Sequence, residues 1–410
     1  MADVLIAGAG LGGLTAALAL MQRGHDVRVF EQAAELREVG AGVQLGANGT
    51  RVLIALGLEA EMQKIVCAAT AKEIRLGTTG QSWPAFDLGE TSVERFGAPY
   101  WMVHRGDLHK VLLHAVRAAN PGAVRPGNGC VGFEQTAGKI TLRLACGERV
   151  TGDMLIGADG VHSRVRQQMF GPGSGQGGSG QGGSGRGGAA HFTGIIAWRG
   201  LVPMERLPPH QRRLVGANWI GVGGHVVTYP LRRGEILNFV GVVERDDWCV
   251  ESWNEPGSRD ECLRDLADWH EDVKTIIRAI DTPYKWALLG REPLDHYAQG
   301  RVCVMGDAAH PTLPFLAQGA NMALEDAAVI ARCLDLSSDL EHALRRYENA
   351  RLRRTAAIVR GSSDNIKRFH NPALGSPDGA AAYVEREFQP EKVKQRYDWL
   401  YEYDALTVAL

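Results

Sequence analysis

The sequence has few of the features that mark several common protein classes. Its 410 residues contain 45 Lys and Arg against 47 Asp and Glu, so it lacks the positive excess of a nucleic-acid-binding protein. It has no uninterrupted apolar run of about 18 residues, which argues against a membrane-spanning helix. The seven cysteines are scattered and never form a CxxC pair, which predicts reduced thiols in a cytoplasmic protein, without a disulfide framework or structural zinc.

Motifs of hydrolytic and metal-dependent enzymes are also missing. No Gly-x-Ser-x-Gly motif occurs, so a serine hydrolase has no support. His104, His109 and His114 are five residues apart, whereas two metal ligands on one helical face are typically four apart. We interpret them as two helix-surface groups and a loop residue, and we predict no metal site. The basic run 345–354 contains Glu348 and is interpreted as a solvated helix face.

The chain opens with the pattern of a dinucleotide-binding unit. Gly8, Gly10 and Gly13 fit G-x-G-x-x-G between a predicted strand and a predicted amphipathic helix. The first glycine permits a tight turn, the second lets a pyrophosphate approach the backbone, and the third permits close packing of helix on strand. Glu31 ends the next predicted strand, where it can accept hydrogen bonds from an adenosine ribose. The pattern predicts a dinucleotide but does not choose between NAD and FAD.

Two later segments carry a resemblance to a known family. Residues 154–166 read MLIGADGVHSRVR, which resembles the Asp-Gly motif of the class A flavoprotein aromatic hydroxylases. Residues 301–311 read RVCVMGDAAHP and resemble the Gly-Asp motif of the same family. Together with the opening glycines, these motifs span most of the chain in the family's order. The resemblance implies that the cofactor is FAD and that NADH or NADPH is the co-substrate.

The resemblance also implies a para-hydroxybenzoate hydroxylase-like α/β fold. In it, a Rossmann-like FAD-binding domain is assembled from separated segments, and a β-sheet substrate domain is inserted between them. Three copies of a five-residue Gly/Ser unit, GSGQG, GSGQG and GSGRG, occupy 173–187 and are typical of a flexible linker. We predict FAD-binding segments at 1–70, 101–170 and 291–365, substrate-domain segments at 71–100 and 191–290, the linker at 171–190, and a C-terminal helical tail at 366–410.

Further cofactor contacts follow from the resemblance. Asp307 matches the family aspartate that binds ribityl hydroxyls, and Asp159 matches the one near the pyrophosphate and the pyridine nucleotide. Without the resemblance, Asp307 is also explained as a helix cap and Asp159 as a turn residue. Arg105 matches the arginine that reaches the flavin phosphates and ribityl chain. Gly319 and Asn321 lie where the family's backbone amides stabilise negative charge on the reduced flavin ring.

Substrate-facing residues are implied by relatives that act on 3-hydroxybenzoate and 6-hydroxynicotinate. In them, a His and a Tyr spaced like His225 and Tyr229 face the substrate, and positions four apart on a strand share one face. A phenol has a pKa of about 10, so a base must share or remove its proton near pH 7. Gln44 lies in a segment that resembles the flavin-flanking loop, and Tyr100 resembles a substrate-side aromatic residue. Alternatively, Gln44 is an ordinary polar loop residue, and Tyr100 is an aromatic residue packed in the core.

The resemblance therefore implies an FAD-dependent monooxygenase that uses NAD(P)H and O2 to hydroxylate a small hydroxybenzoate through a flavin hydroperoxide. Salicylate and 3-hydroxybenzoate both stay open, because Pro314 matches salicylate hydroxylases where 3-hydroxybenzoate 6-hydroxylases carry glutamine. A 6-hydroxynicotinate-type monooxygenase and a flavoprotein reductase that does not hydroxylate are alternatives. The group that holds the carboxylate is not identified. We expect a small aromatic carboxylate and O2 as partners, with no nucleic acid and no membrane; the aromatic stretch 396–403 leaves a homodimer open.

Overall fold

A computed structural model describes residues 1–36, 41–68, 70–87, 90–171, 190–247 and 255–410. The Gly/Ser repeats at 173–187 lie outside the described residues. The described strands are β1 (Asp3–Ala7), β2 (Asp26–Phe30), β3 (Gly42–Leu45), β4 (Ala71–Leu76), β5 (Ser82–Asp87), β6 (Trp101–His104), β7 (Val124–Arg125), β8 (Cys130–Thr136), β9 (Lys139–Leu144), β10 (Arg149–Gly152), β11 (Met154–Gly157), β12 (His191–Pro203), β13 (Val215–Gly221), β14 (Gly224–Leu231), β15 (Ile236–Glu244), β16 (Tyr284–Gly290), β17 (Ala298–Gln299) and β18 (Val302–Val304). The described helices are α1 (Leu11–Met21), α2 (Ala47–Ala55), α3 (Glu59–Gln63), α4 (Glu90–Phe96), α5 (Arg105–Ala119), α6 (Arg164–Phe170), α7 (Arg259–Asp265), α8 (Glu271–Ala279), α9 (Gly319–Asp335), α10 (Leu340–Phe369), α11 (Pro377–Glu387) and α12 (Pro390–Tyr401).

The first sheet is assembled from distant parts of the chain. Its strand order is β17-β18-β11-β1-β2-β7, and all neighbours except β17 and β18 run parallel. The apolar run Val4–Ala7 is fully buried, as expected for a parallel strand that is covered on both faces. The three motif strands β1, β11 and β18 are neighbours. Their carboxyl ends therefore meet at one edge, where open α/β sheets bind ligands.

The second sheet has the strand order β16-β12-β15-β14-β13-β4-β5 and is antiparallel except between β13 and β4. β14 and β15 form a hairpin, in which they pair from Gly224↔Val243 to Leu231↔Ile236. One face of this sheet packs against α7 and α8 around buried Trp198, Trp219 and Phe239. The opposite face carries the alternating residues of β14 that include both predicted substrate residues.

The C-terminal helices pack on the same chain. The ring of Tyr401, the last residue of α12, makes edge contacts with Tyr100 at 6.0 Å and with Phe96 at 5.5 Å. Across the described ranges, none of the helices combines the length and the apolarity needed to cross a bilayer. The predicted α/β fold, with one sheet built from separated segments and a second sheet inserted, is confirmed. The segment boundaries given above stay predictions.

Candidate active site

The opening glycines form a turn with an open space above α1. Gly8 has φ of +104°, and a Cβ there would lie 2.3 Å from the carbonyl oxygen of Ala158. A Cβ on Gly13 would lie 2.1 Å from the carbonyl oxygen of Gly8, whereas one on Gly10 would meet nothing within 4 Å. Two glycines are thus required by packing, and the third leaves room at a helix N-terminus. This arrangement fits a bound pyrophosphate.

Alanine substitutions should separate these two roles. Gly13→Ala is expected to destabilise the FAD-free protein by about 1–3 kcal/mol, because the new methyl group overpacks against backbone. Gly10→Ala is expected to leave that stability unchanged, since Gly10 has φ of −72° and open space, yet to weaken FAD binding. Thermal unfolding without FAD and FAD titration by fluorescence measure the two effects. Equal FAD affinity in Gly10→Ala and the wild type would contradict the pyrophosphate site.

Glu31 and His109 both contact the residue between the first two glycines. The carboxylate of Glu31 accepts hydrogen bonds from the backbone N–H of Ala9 at 2.8 Å and of Ala33 at 2.9 Å. Nε2 of His109 lies 2.7 Å from the carbonyl oxygen of Ala9. His109 is 2% exposed, so its interpretation as a helix-surface group is wrong: the buried face of α5 supports the glycine turn. The ribose contact of Glu31 stays a prediction.

Asp159 and Asp307 follow the neighbouring parallel strands β11 and β18 but have different surroundings. Asp159 accepts hydrogen bonds from the hydroxyl of Ser163 and, at 2.7 Å, from the backbone N–H of Arg164, so it caps α6; burial raises its pKa. Asp307 is exposed at the edge where the motif strands end. Arg166 is buried and donates to the carbonyl oxygens of Asp307 and Ala308, at 3.3 and 2.9 Å. Arg166 therefore connects the Asp-Gly motif to the Gly-Asp motif by hydrogen bonds, a role that we did not predict.

The start of α9 lies beside the loop after β3. Gly319 has open space around it, since a Cβ there would meet only Thr312 Cγ2, at 3.6 Å. Asn321 is fully buried; its Nδ2 donates to the carbonyl oxygen of Gln44 at 3.1 Å, and its Oδ1 accepts from the N–H of Gly46 at 3.0 Å. The structure therefore gives Asn321 the role of fixing this helix start against the β3 segment. Its contact with flavin stays a prediction.

Arg105 begins α5, is half-buried and lies near the buried Arg199. Its backbone N–H donates to the carbonyl oxygen of Ala41 at 2.9 Å, which fixes the helix start beside β3. Burial lowers the pKa of Arg199 on β12, and the nearby charge of Arg105 acts in the same direction. Two guanidinium groups near each other favour an anion close by. This fits the expected contact of Arg105 with the flavin phosphates, which stays a prediction.

His225 and Tyr229 lie on one face of β14, four residues apart, which is about 13 Å at ~3.3 Å per residue. His225 is 1% exposed and lies between the rings of Phe315 and Phe369, at centroid distances of 5.1 and 5.0 Å. The ring of Tyr229 fills the space above Gly42, where a Cβ would lie 2.4 Å from its Cε2. The two residues therefore mark opposite ends of one surface, and they do not touch each other.

Gln44 and Tyr100 meet a lysine that we did not predict. The Tyr100 hydroxyl donates to Oε1 of Gln44 at 2.7 Å, and Nζ of Lys72 donates to the same oxygen at 3.1 Å. Lys72 on β4 is paired with Gly216 on β13, and a Cβ on Gly216 would lie 2.8 Å from Met102 Cε, 3.7 Å from Lys72 Cγ and 3.9 Å from Tyr229 Cβ. Burial lowers the pKa of Lys72 to about 8. The alternation of Lys72 with buried residues 74 and 76 is the sequence signal that could have identified it.

A buried ion network supports the Gly-Asp motif. Oδ2 of Asp326 on α9 accepts the backbone N–H of Gly306 at 2.9 Å and lies 2.6 Å from Nε2 of His310. Arg351 on α10 holds Asp326 and Glu325, with nitrogen–oxygen distances of 2.7 Å to each. Arg351 is fully buried, so the interpretation of its segment as a solvated face is wrong at this position.

Comparisons with known proteins agree with this geometry. The FAD binding domain family matches residues 1–362. The chain is 35% identical over 407 residues to a 3-amino-4-hydroxybenzoate 2-monooxygenase of Streptomyces platensis, covering 99% of this chain and 97% of that one. It is 32% identical to a 3-hydroxybenzoate 6-hydroxylase of Polaromonas naphthalenivorans, covering 97% and 95%. A solved salicylate hydroxylase substrate complex superposes with a TM-score of 0.78 at 26% identity, covering 98% and 96%. The chain belongs to the FAD binding domain family and is an FAD-dependent aromatic monooxygenase.

Proposed function

We propose that this enzyme hydroxylates a small hydroxybenzoate whose carboxylate binds Lys72 and whose ring hydroxyl lies beside His225. FAD, when bound and reduced by NADH or NADPH, supplies the activation of O2 for transfer of one oxygen atom to the ring. The protein's own task is then to orient the ring, to balance its charge and to accept the hydroxyl proton. We put 3-hydroxybenzoate forward first, because its carboxylate and hydroxyl are on separated ring carbons; salicylate, whose two groups are adjacent and hydrogen-bond to each other, is put forward second.

The observation that carries this proposal is the unbalanced charge of Lys72. Among the described residues, no carboxylate contacts its ammonium group, whose hydrogen bond goes to the neutral amide of Gln44. Burying a cation without a counter-ion raises the free energy of the folded protein, because the charge loses its hydration, and a bound anion offsets this loss. An ammonium group has three N–H donors, and Gln44 accepts one of them, so the others are available to a ligand. An aromatic acid supplies the missing charge.

His225 has the properties of a proton acceptor at the other end of the surface. Burial, with a smaller contribution from His370, lowers the pKa of His225 well below 6.5, so the imidazole is neutral near pH 7. Its Nδ1 is hydrogen-bonded to His370, while its Nε2 has no hydrogen-bond partner within the described ranges. A neutral ring with a free nitrogen accepts a phenolic proton and thereby makes the ring more electron-rich.

An aminohydroxybenzoate is a second candidate, and Asn218 favours it. Asn218 is paired with Val227 in the sheet and therefore shares the face of His225 and Tyr229. It is 8% exposed, and its side-chain oxygen has no hydrogen-bond partner among the described residues. A ring amino group is a donor that satisfies such an oxygen. The 35% identical relative from Streptomyces platensis is named for a substrate of this kind.

A substrate panel tests the proposal. Salicylate, 3-hydroxybenzoate, 3-amino-4-hydroxybenzoate and 6-hydroxynicotinate are supplied with NADH or NADPH to the FAD-bound enzyme, each beside its neutral amide analogue. We expect at least one acid to stimulate O2 uptake and to give a hydroxylated product, 16 Da heavier than the acid or about 28 Da lighter where the new oxygen displaces the carboxylate as CO2, at about a tenfold or greater advantage in kcat/KM over its amide. Equal turnover of acid and amide would contradict the role of Lys72. NAD(P)H oxidation without any hydroxylated product would favour the reductase alternative.

A further inference from the structure

A chain of hydrogen bonds links the buried His225 to the protein surface. Nδ1 of His225 lies 2.7 Å from Nε2 of His370, and Nδ1 of His370 lies 2.7 Å from Oε1 of Glu244. The two histidines are 1% and 7% exposed, whereas the side chain of Glu244 is 52% exposed. Three side chains therefore form a continuous polar path from the substrate face to solvent.

The path runs through otherwise apolar surroundings. His225 lies on β14, Glu244 is the last residue of β15, and His370 directly follows the end of α10. The rings of Phe315 and Phe369 flank His225 on its other sides. Within the described ranges, His370 is the polar side chain that His225 contacts. A proton taken up by His225 therefore has one side-chain route away from the site.

We propose that His370 and Glu244 are positioning residues that form a proton outlet for the substrate hydroxyl through His225. This inference rests on the proposed function. The hydroxyl O–H bond breaks and its proton binds Nε2 of His225, while the Nδ1 proton of His225 passes to Nε2 of His370. The Nδ1 proton of His370 passes to Glu244, which releases it to water. Both imidazoles end neutral with their protons on the opposite nitrogens, and the substrate keeps the negative charge.

The charges around the path support this direction of transfer. Burial lowers the pKa of His370, while its hydrogen bond and charge interaction with Glu244 act against that effect. The charged neighbours on the packed elements have partners of their own. Arg245, which directly follows β15, donates to the carboxylates of Asp247, Glu261 and Asp265. Arg368 on α10 donates to the side-chain oxygen of Asn365. Glu244 is therefore the charged group that faces His370.

A purely structural role is the competing explanation, because the same contacts fix the end of α10 against the sheet. Glu244→Gln separates the two roles, since glutamine keeps the size and the acceptor oxygen but does not take up a proton. Asp246→Asn is the matched control: it makes the same charge change two residues away, on an exposed side chain outside the path. Both variants are expected to keep FAD and to unfold at the wild-type temperature.

Ionisation of the bound substrate is measured without turnover. A hydroxybenzoate that the wild type hydroxylates is titrated into each FAD-bound protein between pH 6 and 9, and phenolate formation is followed by difference absorbance. We expect Glu244→Gln to slow the formation of phenolate after mixing and to slow hydroxylation about tenfold at pH 7, less than the 10²–10⁴-fold typical of losing a general base itself. Asp246→Asn should match the wild type in both measurements.

His370→Ala gives an independent test through chemical rescue. The variant is expected to hydroxylate at least about tenfold more slowly and to recover part of the rate in added imidazole, which can occupy the vacated volume and carry the proton. Loss of FAD or of folding, without rescue, would assign His370 a structural role and overturn the inference. So would wild-type ionisation and rates in both Glu244→Gln and His370→Ala. If the wild type binds and hydroxylates no phenolic acid, the proposed function fails and the outlet fails with it.

Discussion

Arg351→Leu is expected to lower the free energy of unfolding by about 3–5 kcal/mol, because removing one partner leaves buried charges uncompensated. The guanidinium of Arg351 lies 2.7 Å from both Glu325 and Asp326, and all three side chains are 0% exposed. Water therefore does not replace the lost cation. Arg354 still contacts Glu325, so Asp326 bears most of the loss. Chemical denaturation of the FAD-free protein, followed by circular dichroism, measures the change.

Arg345→Leu is the matched control on the same helix. Arg345 is 58% exposed and lies 3.9 Å from Glu341 one turn away. A surface pair of this kind contributes less than about 0.5 kcal/mol. A similar loss of stability in both variants would mean that the buried ion network stabilises the fold no more than the surface pair of Arg345 does. A free energy of unfolding in Arg351→Leu equal to that of the wild type would contradict the predicted stabilisation by the buried ion network.

The same network predicts an acid dependence. Burial alone would raise the pKa of Asp326, but the charges of His310 and Arg351 bring it from 3.8 down to about 2. A carboxyl group with a depressed folded pKa contributes stability that is complete above its unfolded pKa. That contribution is lost as the pH falls from about 4 toward 2. Arg351→Leu should therefore lose less stability than the wild type across this window.

The sequence predicted the parts of the fold that depend on local pattern. The strand, the glycine turn and the helix after it lie within the first 21 residues, so spacing and periodicity are enough to identify them. The hairpin of β14 and β15 is also a local pattern, because two alternating stretches, 225–229 and 236–243, flank Arg232–Gly234. The assembly of one sheet from separated segments came from the resemblance of the later motifs to a family, since no local pattern pairs β1 with β11 and β18.

The parts that were missed depend on contacts between residues far apart in sequence. His225 and His370 are 145 residues apart, and the lysine contact with Gln44 spans 28 residues between different sheets. Arg351 was grouped with its charged neighbours because composition does not show which helical face is buried. The buried residues 351, 355, 358, 359 and 362 follow the helical period, so that face could have been identified from its spacing.

Lys72→Met is expected to lower kcat/KM for the hydroxybenzoate at least about 30-fold, or about 2 kcal/mol, the smaller end of the cost of truncating one partner of a buried charged pair. Methionine keeps the apolar stem beside Gly216 and Tyr229 and removes the ammonium group. The carboxylate is bound equally before and during oxygen transfer, so the loss should appear mainly in KM and less in kcat. Steady-state kinetics with product analysis measures both.

The pH dependence distinguishes a charge contact from a packing contact. Because burial lowers the pKa of Lys72 to about 8, the free enzyme loses the ammonium charge as the pH rises through that value. The wild-type KM for the acid should therefore rise above pH 8, while the KM of Lys72→Met should stay level. Lys64→Met, at a lysine that is 65% exposed and paired with Glu61, should behave like the wild type.

The neutral amide analogue decides what Lys72 does. If Lys72 binds the carboxylate, Lys72→Met should raise KM for the acid and leave KM for the amide nearly unchanged, because the amide never used the charge. If Lys72 instead supports the hydrogen bond between Tyr100 and Gln44, both ligands should weaken by the same factor. The second result would remove Lys72 from substrate recognition. Among the described residues, the partner of the Lys72 ammonium group is the amide oxygen of Gln44, which favours the first result, because the free energy of a buried ammonium group falls when an anion binds beside it.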